Sequence, residues 1–71
     1  MQRYANFGGH SSIYGYEIEP TRIRVMFSDG AIYSYSYVSA GISNVERMKQ
    51  LAMSGQGLNS FIMRNVRNSY E

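Results

Sequence analysis

The sequence predicts an α+β domain: a three-stranded antiparallel meander followed by two helices packed on one face. Three observations carry that expectation. Two stretches of alternating apolar and polar residues flank a proline turn. A Ser-Asp-Gly turn then introduces a third such stretch. Two segments with apolar residues at helical spacing follow it.

The first strand is expected over residues 12–19, with Tyr14, Tyr16 and Ile18 on one side and Ile13, Gly15, Glu17 and Glu19 on the other. The second, over residues 22–27, puts Ile23, Val25 and Phe27 on one side and Arg22, Arg24 and Met26 on the other. Between them Glu19-Pro20-Thr21-Arg22 has proline at the second turn position, where its fixed φ suits a type I turn. Pairing across this turn sets Ile18 against Ile23, Tyr16 against Val25 and Tyr14 against Phe27. It also sets Glu17 against Arg24 and Glu19 against Arg22, so apolar meets apolar and charge meets counter-charge.

The third strand is expected over residues 31–37, after Ser28-Asp29-Gly30. A two-residue Asp29-Gly30 turn would place Tyr33 and Tyr35 on the face of Arg22 and Arg24. A three-residue turn, with Gly30 left-handed, sets Tyr33 against Val25 and Tyr35 against Ile23. The second register buries tyrosine rings rather than serines, worth about 25 cal/mol per Å² of apolar surface, and is preferred.

For the first helix, Ser43-Asn44-Val45-Glu46 reads as a capping box, followed by Val45, Met48, Leu51 and Ala52 at helical spacing. It should stop at Ser54-Gly55, where glycine tolerates a left-handed cap. After Gln56-Gly57 the second helix carries Leu58, Phe61, Ile62 and Val66. Arg64 and Arg67 lie in its last turns, favourable for the helix dipole.

The 71 residues allow one small domain with a thin core, over residues 12–71. Residues 1–11, polar and with a Gly8-Gly9 pair, are expected to form a flexible arm. Its Tyr4 and Phe7 either fold back or touch a partner. There is no cysteine to form a disulfide or a thiolate metal site, and His10 is the only histidine. No metal or other cofactor is expected. The apolar runs are too short to span a membrane, and the first ten residues lack a signal peptide's apolar stretch. A soluble, cytoplasmic protein is the expectation.

The net charge of +2 is unevenly spread. Through Val38, Arg3, Arg22 and Arg24 balance Glu17, Glu19 and Asp29. From Ser39 on, Arg47, Lys49, Arg64 and Arg67 face only Glu46 and Glu71, so the helical half is basic.

That half supplies the preferred candidate site, a nucleic-acid contact built from Lys49, Gln56, Asn59, Arg64 and Arg67. The Ser54-Gly55-Gln56-Gly57 turn ahead of a helix can expose amides to a phosphate, although an ordinary helix-to-helix turn is the better explanation of these four residues alone. An alternative lies on the sheet: Tyr33 and Tyr35 stacking unpaired bases, with Arg22 and Arg24 on phosphate. Against it, the tyrosines are expected under the helices and the arginines in pairs with Glu19 and Glu17. His10, Ser11 and Ser12 suggest no catalytic triad, because sequence adjacency is not triad geometry. Of seven tyrosines, Tyr14, Tyr16, Tyr33 and Tyr35 are assigned to the core face, leaving Tyr4, Tyr37 and Tyr70 free.

The assembled residues resemble the KTSC domain, a short module found at the C-terminus of some lysyl-tRNA synthetases and as a stand-alone bacterial protein. The likeness rests on Ser11-Ser12-Ile13, Gly15-Tyr16-Glu17, Ile23-x-Val25-x-Phe27, Gly30-x-x-Tyr33-x-Tyr35 with Val38, Ser54 with its following glycine, and Leu58-Asn59-x-x-Ile62. It covers most of the chain. Two positions depart from the family pattern: Ser39 stands where proline is usual, and Met63 where a basic residue is usual, with Arg64 one place later. The resemblance implies a module of unresolved function for which the synthetase context suggests RNA binding. The sequence thus leads to a small non-catalytic module binding RNA or another nucleic acid through its basic helical half. The rival is a protein-interaction module docking a partner, or a second copy, by a sheet edge or the arm. The oligomeric state is left open.

Overall fold

The computed structural model describes residues 1–71. It has one antiparallel sheet of four strands, β1 (Gln2–Arg3), β2 (Ile13–Glu19), β3 (Arg22–Phe27) and β4 (Ile32–Ser36), in chain order. Then come α1 (Tyr37–Ala40), α2 (Ile42–Ser54) and α3 (Leu58–Phe61), the last running into a π-helical turn, Ile62–Val66. No helix is long and apolar enough to cross a membrane.

The β2–β3 hairpin holds the expected pairs Ile18–Ile23, Glu17–Arg24, Tyr16–Val25 and Glu19–Arg22. Farther from the turn the register shifts: a bulge between Ile13 and Gly15 puts Ile13, not Tyr14, opposite Phe27. The extra residue turns Tyr14 outward, where Arg3 lies 4.9 Å from its ring centre, and buries Ile13 instead. The β3–β4 connection adopts the three-residue register, pairing Val25 with Tyr33 and Ile23 with Tyr35. Gly30 has φ 93°, a conformation that costs a side-chain-bearing residue but not glycine, and the Phe27 N–H donates to the Ala31 carbonyl at 2.8 Å.

The arm is not loose. Gln2 and Arg3 pair with Tyr16 and Gly15 as a fourth strand, and Tyr4 is buried. Two glycines make room for the segment. A Cβ on Gly15 would stand 2.7 Å from the Gln2 carbonyl oxygen, and one on Gly55 2.6 Å from the Ala5 Cβ. The Tyr4 hydroxyl accepts from the Leu58 N–H at 3.3 Å, and the Phe7 N–H donates to the Gly55 carbonyl at 2.9 Å. The segment thereby ties the sheet to the α2–α3 turn.

The capping box falls elsewhere than expected. The β3–β4 pairing ends at Arg22 and Ser36, the Tyr37 N–H donates to the Thr21 carbonyl at 2.9 Å, and the chain turns into α1. There the Ser36 hydroxyl accepts from the Ser39 N–H and the Ser39 hydroxyl from the Ser36 N–H, each at 3.0 Å. α2 then starts at Ile42, without a side-chain cap, and Ser43 lies inside its first turn. It ends as expected, with Gly55 left-handed at φ 79°.

The core joins Ile13, Tyr16, Ile23, Val25 and Tyr35 of the sheet to Val45, Met48 and Ala52 of α2, then to Leu58, Ile62 and Val66. One sheet face therefore carries all the helices, as the α+β expectation requires.

Candidate functional site

The helical cover is incomplete. α2 lies over the part of the sheet near the Pro20 turn, where the Lys49 Nζ reaches the Pro20 carbonyl at 3.2 Å. It buries Tyr35 but leaves Tyr33, two residues back along β4 on the same face, 36% exposed. Around Tyr33 an aromatic cleft of about 420 Å³ opens between the Asp29 hairpin and the C-terminal helical turn.

One wall of the cleft is Phe27 and Tyr33, edge to face with ring centres 5.7 Å apart. Tyr70 reaches in from the tail, 4.8 Å from the Tyr33 ring and tilted by 55°. The opposite wall is Met63 and Arg67, four residues apart and flanked by the buried Ile62 and Val66. Asn68, Asp29, Ser12 and Ser28 add polar groups. Tyr35 closes the floor. Its burial, with Tyr33 and Tyr70 beside it, pushes the phenol up to about 12, so it remains neutral.

The charged groups lining the cleft are uncompensated. The ion pairs are Arg22 with Glu19 and Glu71, Arg24 with Glu17, and Lys49 with Glu46. They leave Arg3, Arg47, Arg64 and Arg67 without a carboxylate, and Asp29 without a cation. Arg64 and Arg67 are both exposed on the last helical segment. The Asp29 carboxylate accepts the Ala31 N–H at 2.9 Å.

The residues expected to form one basic contact do not come together. Lys49 is 8% exposed and directed at the sheet. Its ammonium pairs with Glu46 at 2.9 Å and lies 5.4 Å from the centre of the Tyr37 ring. The Tyr37 hydroxyl also donates to Glu46; that bond, then the Lys49 ammonium, holds the Glu46 carboxyl below its ordinary value. The same bond to Glu46 raises the Tyr37 phenol, against the opposing pull of Lys49. Lys49 is thus nearly buried, with its ammonium already held by Glu46 and the Pro20 carbonyl. Gln56 is exposed in the α2–α3 turn. Asn59 lines a separate small cavity of about 180 Å³ with His10 and Ser11, and its buried Oδ1 lacks a hydrogen-bond partner. Of the five, Arg67 reaches the cleft and Arg64 shares its segment.

The sheet-face alternative is divided as well. Tyr33 and Tyr35 face the core, while Arg22 and Arg24, alternating with Ile23 and Val25, face the other way in ion pairs. Of the tyrosines expected to be free, Tyr4 is buried, Tyr37 is bonded to Glu46, and Tyr70 packs on Tyr33 and Tyr35.

Fold and site together define a small α+β module whose sheet face is sealed by helices on one side and open as an aromatic cleft with a free arginine on the other. Set against known proteins, the chain matches no family model, no curated protein and no solved structure.

Proposed function

We propose that this chain is a non-catalytic cytoplasmic module that binds single-stranded RNA through its C-terminal helical segment. The carrying observation is the pairing of uncompensated charge with exposed aromatic surface. Arg64 and Arg67 have no carboxylate partner, and Arg67 stands beside a cleft walled by Phe27, Tyr33 and Tyr70. Cations that track phosphates next to rings that stack on bases are the two components of single-strand recognition. The resemblance to the KTSC domain, with its synthetase context, points the same way. Affinity should be weak, salt-sensitive and largely independent of sequence.

Fluorescence anisotropy of a labelled single-stranded RNA at low salt tests this. Binding should weaken as salt rises, with a log–log slope of roughly −1.4 for two phosphate contacts to a single strand. Arg64→Glu with Arg67→Glu should remove it, while Lys49→Met should leave it intact. No binding at low salt, or binding untouched by the double charge reversal, defeats the reading.

A protein-docking role draws support from a different corner. Val38 is 97% exposed in α1, and Ile42 is exposed at the start of α2. Sedimentation of wild type beside Val38→Asp tests the self-association form of that role. A strict monomer in both removes it.

A further inference from the structure

We infer that the aromatic cleft holds one unpaired nucleobase, stacked on Tyr33 and Tyr70, with the adjoining phosphate left outside on Arg67. The inference rests on the RNA-binding reading and assigns to it a pocket and an orientation.

The volume, about 420 Å³, falls in the roughly 300–1,000 Å³ range of small-ligand sites. That is room for one base, not a folded strand. The rings supply the stacking surface. Tyr33 and Tyr70 touch each other, with ring centres 4.8 Å apart, yet each is more than a third exposed while lining the cleft, so aromatic surface there is left uncovered by the core. Tyr35, 1% exposed, forms the floor and sets the depth.

The charges set the direction. Arg67 and Asp29 line the same cleft yet do not pair, so a positive and a negative group act on it from separate points. A phosphate is drawn to Arg67 and repelled by Asp29. A nucleotide therefore enters base first. The Asp29 carboxylate, with one oxygen committed to the Ala31 N–H, retains acceptor capacity for N–H groups on a base edge.

Tyr70 is placed to act as an adjustable wall. Its backbone is tethered on one side by the Ser69 N–H to the Val66 carbonyl and on the other by the Glu71 N–H to the Ser34 carbonyl, both 2.8 Å. Neither bond involves the ring, which can turn about its own side-chain torsions to meet a base.

The test compares a short oligoadenylate RNA with the same ribose-phosphate backbone lacking bases. The base-bearing oligomer should bind about tenfold more tightly, the size expected for one stacked base. Tyr70→Ala, a tail substitution outside the core, should abolish that difference. Arg67→Glu should weaken both oligomers. In the wild-type protein the ring signals of Phe27 and Tyr33 should shift with oligoadenylate and not with the abasic backbone. Equal binding of the two oligomers, still dependent on Arg64 and Arg67, overturns the base pocket while RNA binding by phosphate contacts survives. Tighter binding by Tyr70→Ala also overturns it, because the ring would then be an obstacle rather than a platform. Binding of neither oligomer removes both readings.

Discussion

Two parts of one sheet face are finished differently. Under α2 the face is sealed: Ile23, Val45 and Met48 have no exposed surface, and even the cation placed there, Lys49, is consumed by Glu46, Tyr37 and the Pro20 carbonyl. Around Tyr33 the face is open: aromatic rings reach solvent, and Arg67 and Asp29 share a cleft without neutralising each other. The sealed part shows what this chain does when it needs stability. Burial there is paired with satisfied polar groups, since an unpaired buried charge is costly. The open part forgoes that burial, and surface left unburied in a thin-cored domain is where binding is to be sought.

Two methionines put the contrast to its strongest test. Met48 is fully buried, whereas Met63 in the cleft is 46% exposed. Met48→Ala should cost about 2–5 kcal/mol in urea unfolding, the range for truncating a buried aliphatic side chain. Met63→Ala should cost less than about 1 kcal/mol, because half-exposed surface forfeits little burial and leaves no closed cavity. Equal costs would mean that the cleft is as tightly packed as the core, and the distinction between the two parts would fail.

Tyr35 lies on the border, and its titration measures how firmly the floor is closed. Its phenol is raised to about 12 against an ordinary value of 10, chiefly by burial. A raised folded-state value means that the folded form disfavours the charged phenolate. The associated stability is complete below pH 10 and is lost as pH rises from there towards 12. Tyr35→Phe should flatten this loss, read by urea unfolding across that window. An unchanged pH profile would show that water reaches the hydroxyl and that the floor is open.

The sealed part depends on the N-terminal segment, and Gly55 holds the joint. Gly55→Ala sets a side chain at φ 79° and within 2.6 Å of the Ala5 Cβ. The left-handed conformation alone costs roughly 1–2 kcal/mol. The clash adds to that cost, so the expected loss exceeds it, with the Phe7 amide, bonded to the Gly55 carbonyl, exchanging faster with solvent. Gly57→Ala, at φ 85° but with only a Leu51 methyl at 3.4 Å, should show the strain without the faster Phe7 exchange.

How much of this was legible follows from the range of the interactions. The Pro20 and Gly30 turns, the Glu17–Arg24 pair and the Gly55 cap are written in neighbouring residues, and the structure has them where the sequence placed them. The bulge at Tyr14 is not local. It accompanies β1, which comes much earlier in the chain, against a glycine with no Cβ to obstruct it. Lys49 did carry a signal. Val45, Met48, Lys49 and Ala52 follow the i, i+3, i+4, i+7 rule of a buried stripe, so position outranks charge here. Tyr70 carried none: it follows the last helical turn with no period around it, and only tertiary packing brings it to Tyr33.

The smallest expected effect concerns the tether beside that ring. The Arg22 Nη1 and Glu71 Oε1 are 3.2 Å apart with both side chains more than two-fifths exposed, and Glu19 holds the same guanidinium at 2.8 Å. An exposed ion pair contributes roughly 0–1 kcal/mol, and salt screens it further. Glu71→Gln should therefore leave the unfolding midpoint almost unmoved, while the Glu71 N–H to Ser34 carbonyl bond remains available. A change in stability well above about 1 kcal/mol would show that the tail braces the whole sheet and that Tyr70 is not free to adjust. The informative readout is the nuclear Overhauser contact between Tyr70 and Tyr33. If it survives Glu71→Gln, the rings hold each other by direct aromatic contact, tilted by 55° at 4.8 Å, and the open wall is organised without the ion pair. If it vanishes at unchanged global stability, the exposed ion pair governs the wall alone, and the two parts of the sheet face are energetically separable.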